Sequence, residues 1–217
     1  MRYECLSLLI YSNFNYNYMK KLLTLALVLI LGIGSASAQT ENEVEIGMNL
    51  SSISKLDSKI GFHLGYRLTQ NLPSLFEGAY INGGALLTLK GAEKDYGQEM
   101  DFNCNAYSLE IPIHFGYKHR LENVAIFGEF GPYFGFGLFG KTKLSSYGES
   151  AKVDTYSDEG GMKRFDFGLG FRVGVEILHK IPVSIGYDFG LIDANKESDE
   201  APSMKHSNMT VSIGYKF

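Results

Sequence analysis

The feature that most restricts what this chain can fold into is a period-two alternation of bulky apolar residues with glycine and charge. In KIGFHLGYRL (59–68), Ile60, Phe62, Leu64, Tyr66 and Leu68 share one side, and Gly61, His63, Gly65 and Arg67 share the other. Successive side chains point to opposite faces in a strand, so this period argues for β structure and against an amphipathic helix. The same rhythm runs through VEIGMNLS (44–51), GAYINGGALLTLK (78–90), AYSLEIPIHFGYK (106–118) and NVAIFGEFGPYFGFGLFG (123–140). It returns in RFDFGLGFRVGVEIL (164–178), PVSIGYDFGLI (182–192) and SNMTVSIGYKF (207–217), which makes eight segments, an even number.

Alternation alone does not say which face points inward, because a soluble lipocalin-like barrel alternates too. Size decides. An eight-stranded barrel is only just wide enough inside for its side chains. Filling it with about five or six large apolar residues per strand, many of them Phe and Tyr, would overpack it. The other face carries much of the chain's complement of 25 glycines, with scattered polar groups, which suits a cramped interior. The expectation is an all-β fold: an eight-stranded antiparallel up-and-down transmembrane β-barrel, apolar side out to lipid and polar side in.

The connections agree, except that the first loop, 52–58, is short where a long one is expected. Residues 69–76, 119–123 and 179–181 are short links, whereas 91–104, 141–163 and 193–207 are longer and polar. Short turns at one end and long loops at the other are how outer-membrane barrels are built. Near the start, MKKLLTLALVLILGIGSASAQ has two lysines, an apolar run and an Ala36-Ser37-Ala38 cleavage pattern. That predicts a cleaved signal peptide over 19–38, with 1–18 an over-called start and 39–217 the barrel domain. Cys104 is the one cysteine left after such cleavage, so no internal disulfide is expected. The final strand closes the sheet against the first, since every backbone polar group in hydrocarbon needs a partner.

Several stretches resemble the PorT-like outer-membrane beta-barrel family, which is abundant in Bacteroidetes. They are YSLEIPIHFGYK (107–118), FGEFGPYFGFGLFGK (127–141), FDFGLGFRVGVEI (165–177) and IGYDFGLIDAN (185–195). The resemblance covers essentially the whole mature chain and implies the barrel rather than a particular duty. The strand that ends Gly190-Leu191-Ile192-Asp193 carries Asp where the family often has Asn. Outer-membrane barrels in general end on an aromatic that the barrel assembly machinery reads, and here Tyr215 and Phe217 stand in that position. Pro112 and Pro132 lie inside family motifs and are expected to mark bulges or sharp twists.

The expected interior charges are Glu45, Arg67, Glu110, Glu129, Asp166, Arg172, Glu176 and Asp188. Unpaired they would be costly, so ion pairs to Arg67, Arg172 and Lys90 or Lys216 are expected, as a plug rather than an ion path. His63 and His114 share that face; Glu110 and His114 are four apart on one strand and cannot hold one ion, so no metal or cofactor is expected. No His-x-Ser or Ser-x-His occurs, and cross-strand catalytic groupings cannot be read from sequence. The net charge of −4, without a basic cluster, argues against nucleic acid. DTYSDEGG (154–161) lacks EF-hand spacing and reads as solvated loop. The expected role is a non-enzymatic scaffold in outer-membrane lipid presenting extracellular loops for adhesion, envelope integrity or a secretion-associated protein partner. A narrow channel or small-ligand transport barrel is the alternative, ahead of a lipid-modifying enzyme or a soluble lipocalin-like barrel.

Overall fold

The computed structural model describes residues 40–53, 57–95, 101–146, 149–156, 162–194 and 204–217. The expected signal segment, most of DTYSDEGG and residues 195–203 lie outside them. The strands are β1 (Thr40–Ile53), β2 (Asp57–Asn71), β3 (Ala79–Asp95), β4 (Asp101–Arg120) and β5 (Val124–Ser146), then β6 (Glu149–Asp154), β7 (Phe165–Ile177), β8 (Ile181–Gly190) and β9 (His206–Lys216). Neighbours run β4-β3-β2-β1-β9-β8-β7-β5, and β5 returns to β4. That is a closed barrel of eight strands, with β6 attached outside the ring as a short partner of β5. Closure runs through β1 and β9, where Ile46 faces Ile213 and Met48 faces Val211.

The apolar faces point outward. Ile46 is 55 % exposed, Phe62 60 % and Phe130 58 %, and the belt continues through Val173, Ile185 and Val211. Soluble monomers rarely expose contiguous apolar patches above a few hundred Å², so a belt that encircles the barrel is a surface for lipid. Three tight connections, at 72–78, 121–123 and 178–180, share one rim with Thr40 and Phe217. There the Phe217 N–H donates to Asn42 O at 3.0 Å. The three-residue turn between β7 and β8 places Leu178 and His179 at φ of 51° and 56°, in the left-handed region, and the Lys180 N–H donates to Ile177 O at 3.0 Å. At the opposite rim β3, β4 and β5 run on for 17, 20 and 23 residues, while β8 and β9 stop at 10 and 11. A one-sided wall therefore rises above the ring.

Two expectations change. Much of the stretches 91–104 and 141–163 is not loop: Gly91–Asp95 pairs with Asp101–Asn105, and Lys141–Ser146 pairs with Glu149–Asp154, as hairpins that extend the sheet. The prolines are not bulges either. The register keeps its offset from Ile111↔Phe134 and Pro112↔Tyr133 to Phe115↔Phe130, and from Gly131↔Gly170 to Tyr133↔Gly168. Pro112 has no N–H to donate, and its cost is a local gap in the β3–β4 ladder rather than an extra residue. The bulges lie elsewhere, at Ser58–His63 on β2 and opposite Tyr107–Ser108 on β5. In the second, Tyr107 pairs Phe139 and Ser108 pairs Gly137, so Leu138 is the extra residue. Arg164 Nη1 holds it by donating to Leu138 O at 2.9 Å and Gly137 O at 3.2 Å. Beyond the bulge the alternation of β5 inverts, and Phe139 rather than Leu138 takes the fully outward place.

Candidate functional site

The lumen is built in tiers of opposed charge. At the rim with the tight turns, Lys118 Nζ lies 2.9 Å from Glu176 Oε2 and 3.0 Å from Glu41 Oε2. Lys216 bridges the same two carboxylates, and Arg120 Nη2 reaches Glu41 Oε1 at 2.9 Å from outside. Four strands meet in this knot: β1, β4, β7 and β9.

In the middle, Arg172 is the hub. Its Nη2 lies 2.9 Å from Glu43 Oε1 and 3.2 Å from Glu45 Oε2, its Nη1 lies 3.5 Å from Glu129 Oε1, and its Nε donates to Ser184 Oγ at 2.8 Å. Arg67 Nε shares Glu45 Oε2 at 3.0 Å. The planar, always-charged guanidinium suits a buried node with several acceptors. Tyr80 Oη donates to Glu129 Oε1 at 3.0 Å. Nearer the tall wall, Lys90 pairs with Glu110 and lies 3.9 Å from Asp166 Oδ2, to which Tyr133 Oη donates at 3.0 Å. Asn208 Nδ2 reaches Asp188 Oδ2 at 3.5 Å. Above this, the hydroxyls of Thr142 and Thr155 are 3.1 Å apart, with Cys104 buried beside them.

Of the eight charged residues expected inside, Glu45, Arg67, Glu110, Glu129, Arg172 and Glu176 are buried, and Asp166 and Asp188 are half-buried. They form three groups rather than one: Glu176 at the rim, Glu45, Arg67, Glu129 and Arg172 in the middle, Glu110, Asp166 and Asp188 above. Sequence reasoning missed Glu41, Glu43 and Lys118. The signal was there, since Glu41, Glu43 and Glu45 keep the period of two, as do Glu110, His114 and Lys118. It also missed inward aromatics, because the size argument assigned rings to lipid. Each such ring lies over a glycine of a neighbouring strand. A Cβ on Gly116 would sit 2.3 Å from Tyr80 Cζ, and one on Gly137 would sit 2.2 Å from Tyr156 Cζ. A ring fits a lumen this narrow only where the facing residue has no side chain.

The central cavity is small, about 30 Å³, and is lined by Glu45, His63, Arg67, Glu110, His114 and Asp188 among others. That is room for two or three water molecules. His63 Nε2 and Ser212 Oγ are 2.9 Å apart, a cross-strand pair no sequence spacing reveals. Glu45 Oε1 approaches the same Nε2 at 3.9 Å, and Nδ1 has no hydrogen-bond partner among the described residues. A hydrolytic triad needs its carboxylate on the nitrogen away from the nucleophile, to hold the imidazole in its basic tautomer. This trio is arranged otherwise. No group of three His, Cys, Asp or Glu side chains among the described residues could hold a metal ion.

A family model described as outer membrane protein beta-barrel domain matches residues 11–195. The chain belongs to the outer membrane protein beta-barrel domain family. As an outer-membrane barrel it sits in membrane lipid at that location, its apolar belt against the hydrocarbon. Among solved structures it is similar to Ail, the attachment invasion locus protein of Yersinia pestis, at 19 % identity and a TM-score of 0.43 over 82 % of this chain and 99 % of that one. It is similar to OprG from Pseudomonas aeruginosa at 14 % identity and a TM-score of 0.45, over 83 % and 96 %. The outer membrane enzyme PagL aligns at 13 % identity and a TM-score of 0.40, over 81 % and 98 %. No curated protein sequence matches the chain.

Proposed function

We propose that this barrel is a non-enzymatic scaffold whose extracellular wall and loops serve recognition, in adhesion, envelope integrity or a secretion-associated role. One observation carries the reading. The lumen is filled tier by tier with ion pairs, while β3, β4, β5 and β6 continue the sheet beyond the ring. A filled lumen favours a plug over a pore, and exposed loops on a rigid frame are where recognition resides. The His63–Ser212 pair does not favour catalysis, because both residues are buried and the carboxylate is on the same ring nitrogen as the hydroxyl. Planar-bilayer recording tests the channel alternative: the expected outcome is no stepwise conductance, and steady openings would sink the scaffold reading. Mass spectrometry of lipid A from cells with and without the gene tests the enzyme alternative, with identical spectra expected.

The finer assignments belong to the same proposal. The barrel groups with the PorT-like proteins of Bacteroidetes on its Glu110-Ile111-Pro112 and Gly131-Pro132-Tyr133 motifs. Residues 19–38 act as a signal peptide cleaved before Gln39, translation starts at Met19, and residues 39–217 form the working domain; N-terminal sequencing of the mature protein checks this. The barrel assembly machinery reads Tyr215 and Phe217, so Phe217→Ser lowers the yield of folded barrel in the outer membrane.

A further inference from the structure

The bulge at Leu138 has a consequence above the lipid belt. Phe139 faces outward, 57 % exposed, and stacks on Tyr107 of β4 with ring centroids 4.6 Å apart. Once the alternation has inverted there, the next residues of β5 on that outer face are Lys141 and Lys143. Across the hairpin, Lys152 of β6 is the direct partner of Lys143, and Asp154 is the partner of Lys141. All three lysines are exposed, and none has an ion pair among the described residues. Asp154 Oδ1 is taken up with the N–H of Tyr156 at 2.8 Å. Without the extra residue, Lys141 and Lys143 would point to the lumen side.

Like charges directly opposite each other weaken a strand pair. Lys143 against Lys152 is therefore unfavourable in isolation and becomes favourable when an anion lies between the two ammonium groups. On the inner side of this patch, Asn103 and Asn105 of β4 face Lys143 and Lys141, and Lys59 Nζ donates to Asn103 Oδ1 at 2.6 Å. Besides Asp154, the carboxylates of this face among the described side chains are Asp57 and Glu93, which lie on β2 and β3, farther along the row.

Height identifies the anion. Same-face residues are about 6.6 Å apart along a strand, and barrel strands tilt about 35–45°. Lys141 and Lys143 thus stand roughly 5 and 10 Å above the Phe139 ring, a span that begins within the headgroup layer of about 5–7 Å per side. The lysines look sideways over the belt, in line with the apolar face below them. We propose that Lys141, Lys143 and Lys152 form a docking site on the outer wall of the barrel for the phosphate groups of a glycolipid in the outer leaflet. Its acyl chains would lie along the Tyr107–Phe139 pair and the belt beneath.

The test uses the folded barrel in zwitterionic detergent, with bound lipid counted by native mass spectrometry. The probes are lipid A carrying its phosphates and the same lipid stripped of them. The wild type is expected to prefer the phosphorylated form by about ten- to a hundred-fold, since each lysine near an anionic surface is worth roughly 1 kcal/mol and 1.4 kcal/mol is tenfold. The K141Q/K143Q/K152Q variant is expected to lose most of that preference. A charge-matched K163Q/K180Q/K205Q variant is expected to keep it, and the unboiled gel shift confirms that each variant is folded. Equal binding of both lipids by the wild type overturns the proposal, and so does equal loss in the two variants. Displacement of the lipid by an equal concentration of soluble inositol hexakisphosphate overturns it in favour of a soluble anion.

Discussion

Lysine is placed in two opposite ways in this barrel. In the lumen, Lys118 and Lys216 each contact Glu41 and Glu176, and both are over nine-tenths buried. On the tall wall above the lipid belt, Lys141, Lys143 and Lys152 stand exposed, two of them directly opposed. The difference follows from the surroundings. Burying an ammonium without a partner costs several kcal/mol, so in the lumen each base is tied to carboxylates from other strands. At the water interface the same group is hydrated and screened, and its placement is free to serve a ligand. The lumen holds the barrel together; the wall is what it shows to its surroundings.

The sharpest way to break this contrast is Arg172→Met. It leaves Glu43, Glu45 and Glu129 without their common partner and should cost about 3–5 kcal/mol, seen as a lower urea midpoint for the folded band. A charge on the lipid side comes next. Val211→Arg, on the outward face of β9 at the closing pair with Met48, should cost about 2–4 kcal/mol in bilayers, falling if the site is off the midplane. Gly116→Val tests packing rather than charge. Its Cβ would meet the Tyr80 ring, which is held by Glu129, and about 1–3 kcal/mol of overpacking is expected in the same unfolding assay. At the small end, Lys143→Gln should change stability by no more than about 0.5 kcal/mol, with a slight gain from relieving Lys152. A large loss there would mean that the wall is as structurally committed as the lumen.

Much of the fold was legible because alternation and side-chain size are local. The strand around Phe62, Leu64 and Tyr66 turns its apolar side to lipid as its pattern predicts. The inward placement of Glu45, Arg67 and Arg172 followed from the same rule. Tyr80 and Tyr133 did not follow, since a ring is admitted to the lumen only by a glycine on the next strand, Gly116 and Gly168 here. Pro112 and Pro132 misled because loss of a donor does not require an extra residue. The real bulge at Leu138 is held by Arg164, 26 residues away in the chain.

By itself the sequence determined the eight strands of the ring, the face each turns to lipid as far as the Leu138 bulge, and the end that carries the short turns, because a period of two and a steric limit act within a few residues. Only the tertiary structure decided which carboxylate meets which base, that His63 reaches Ser212, and that Lys141 and Lys143 point outward. Those depend on strand register around a closed ring, and one inserted residue shifts every face beyond it.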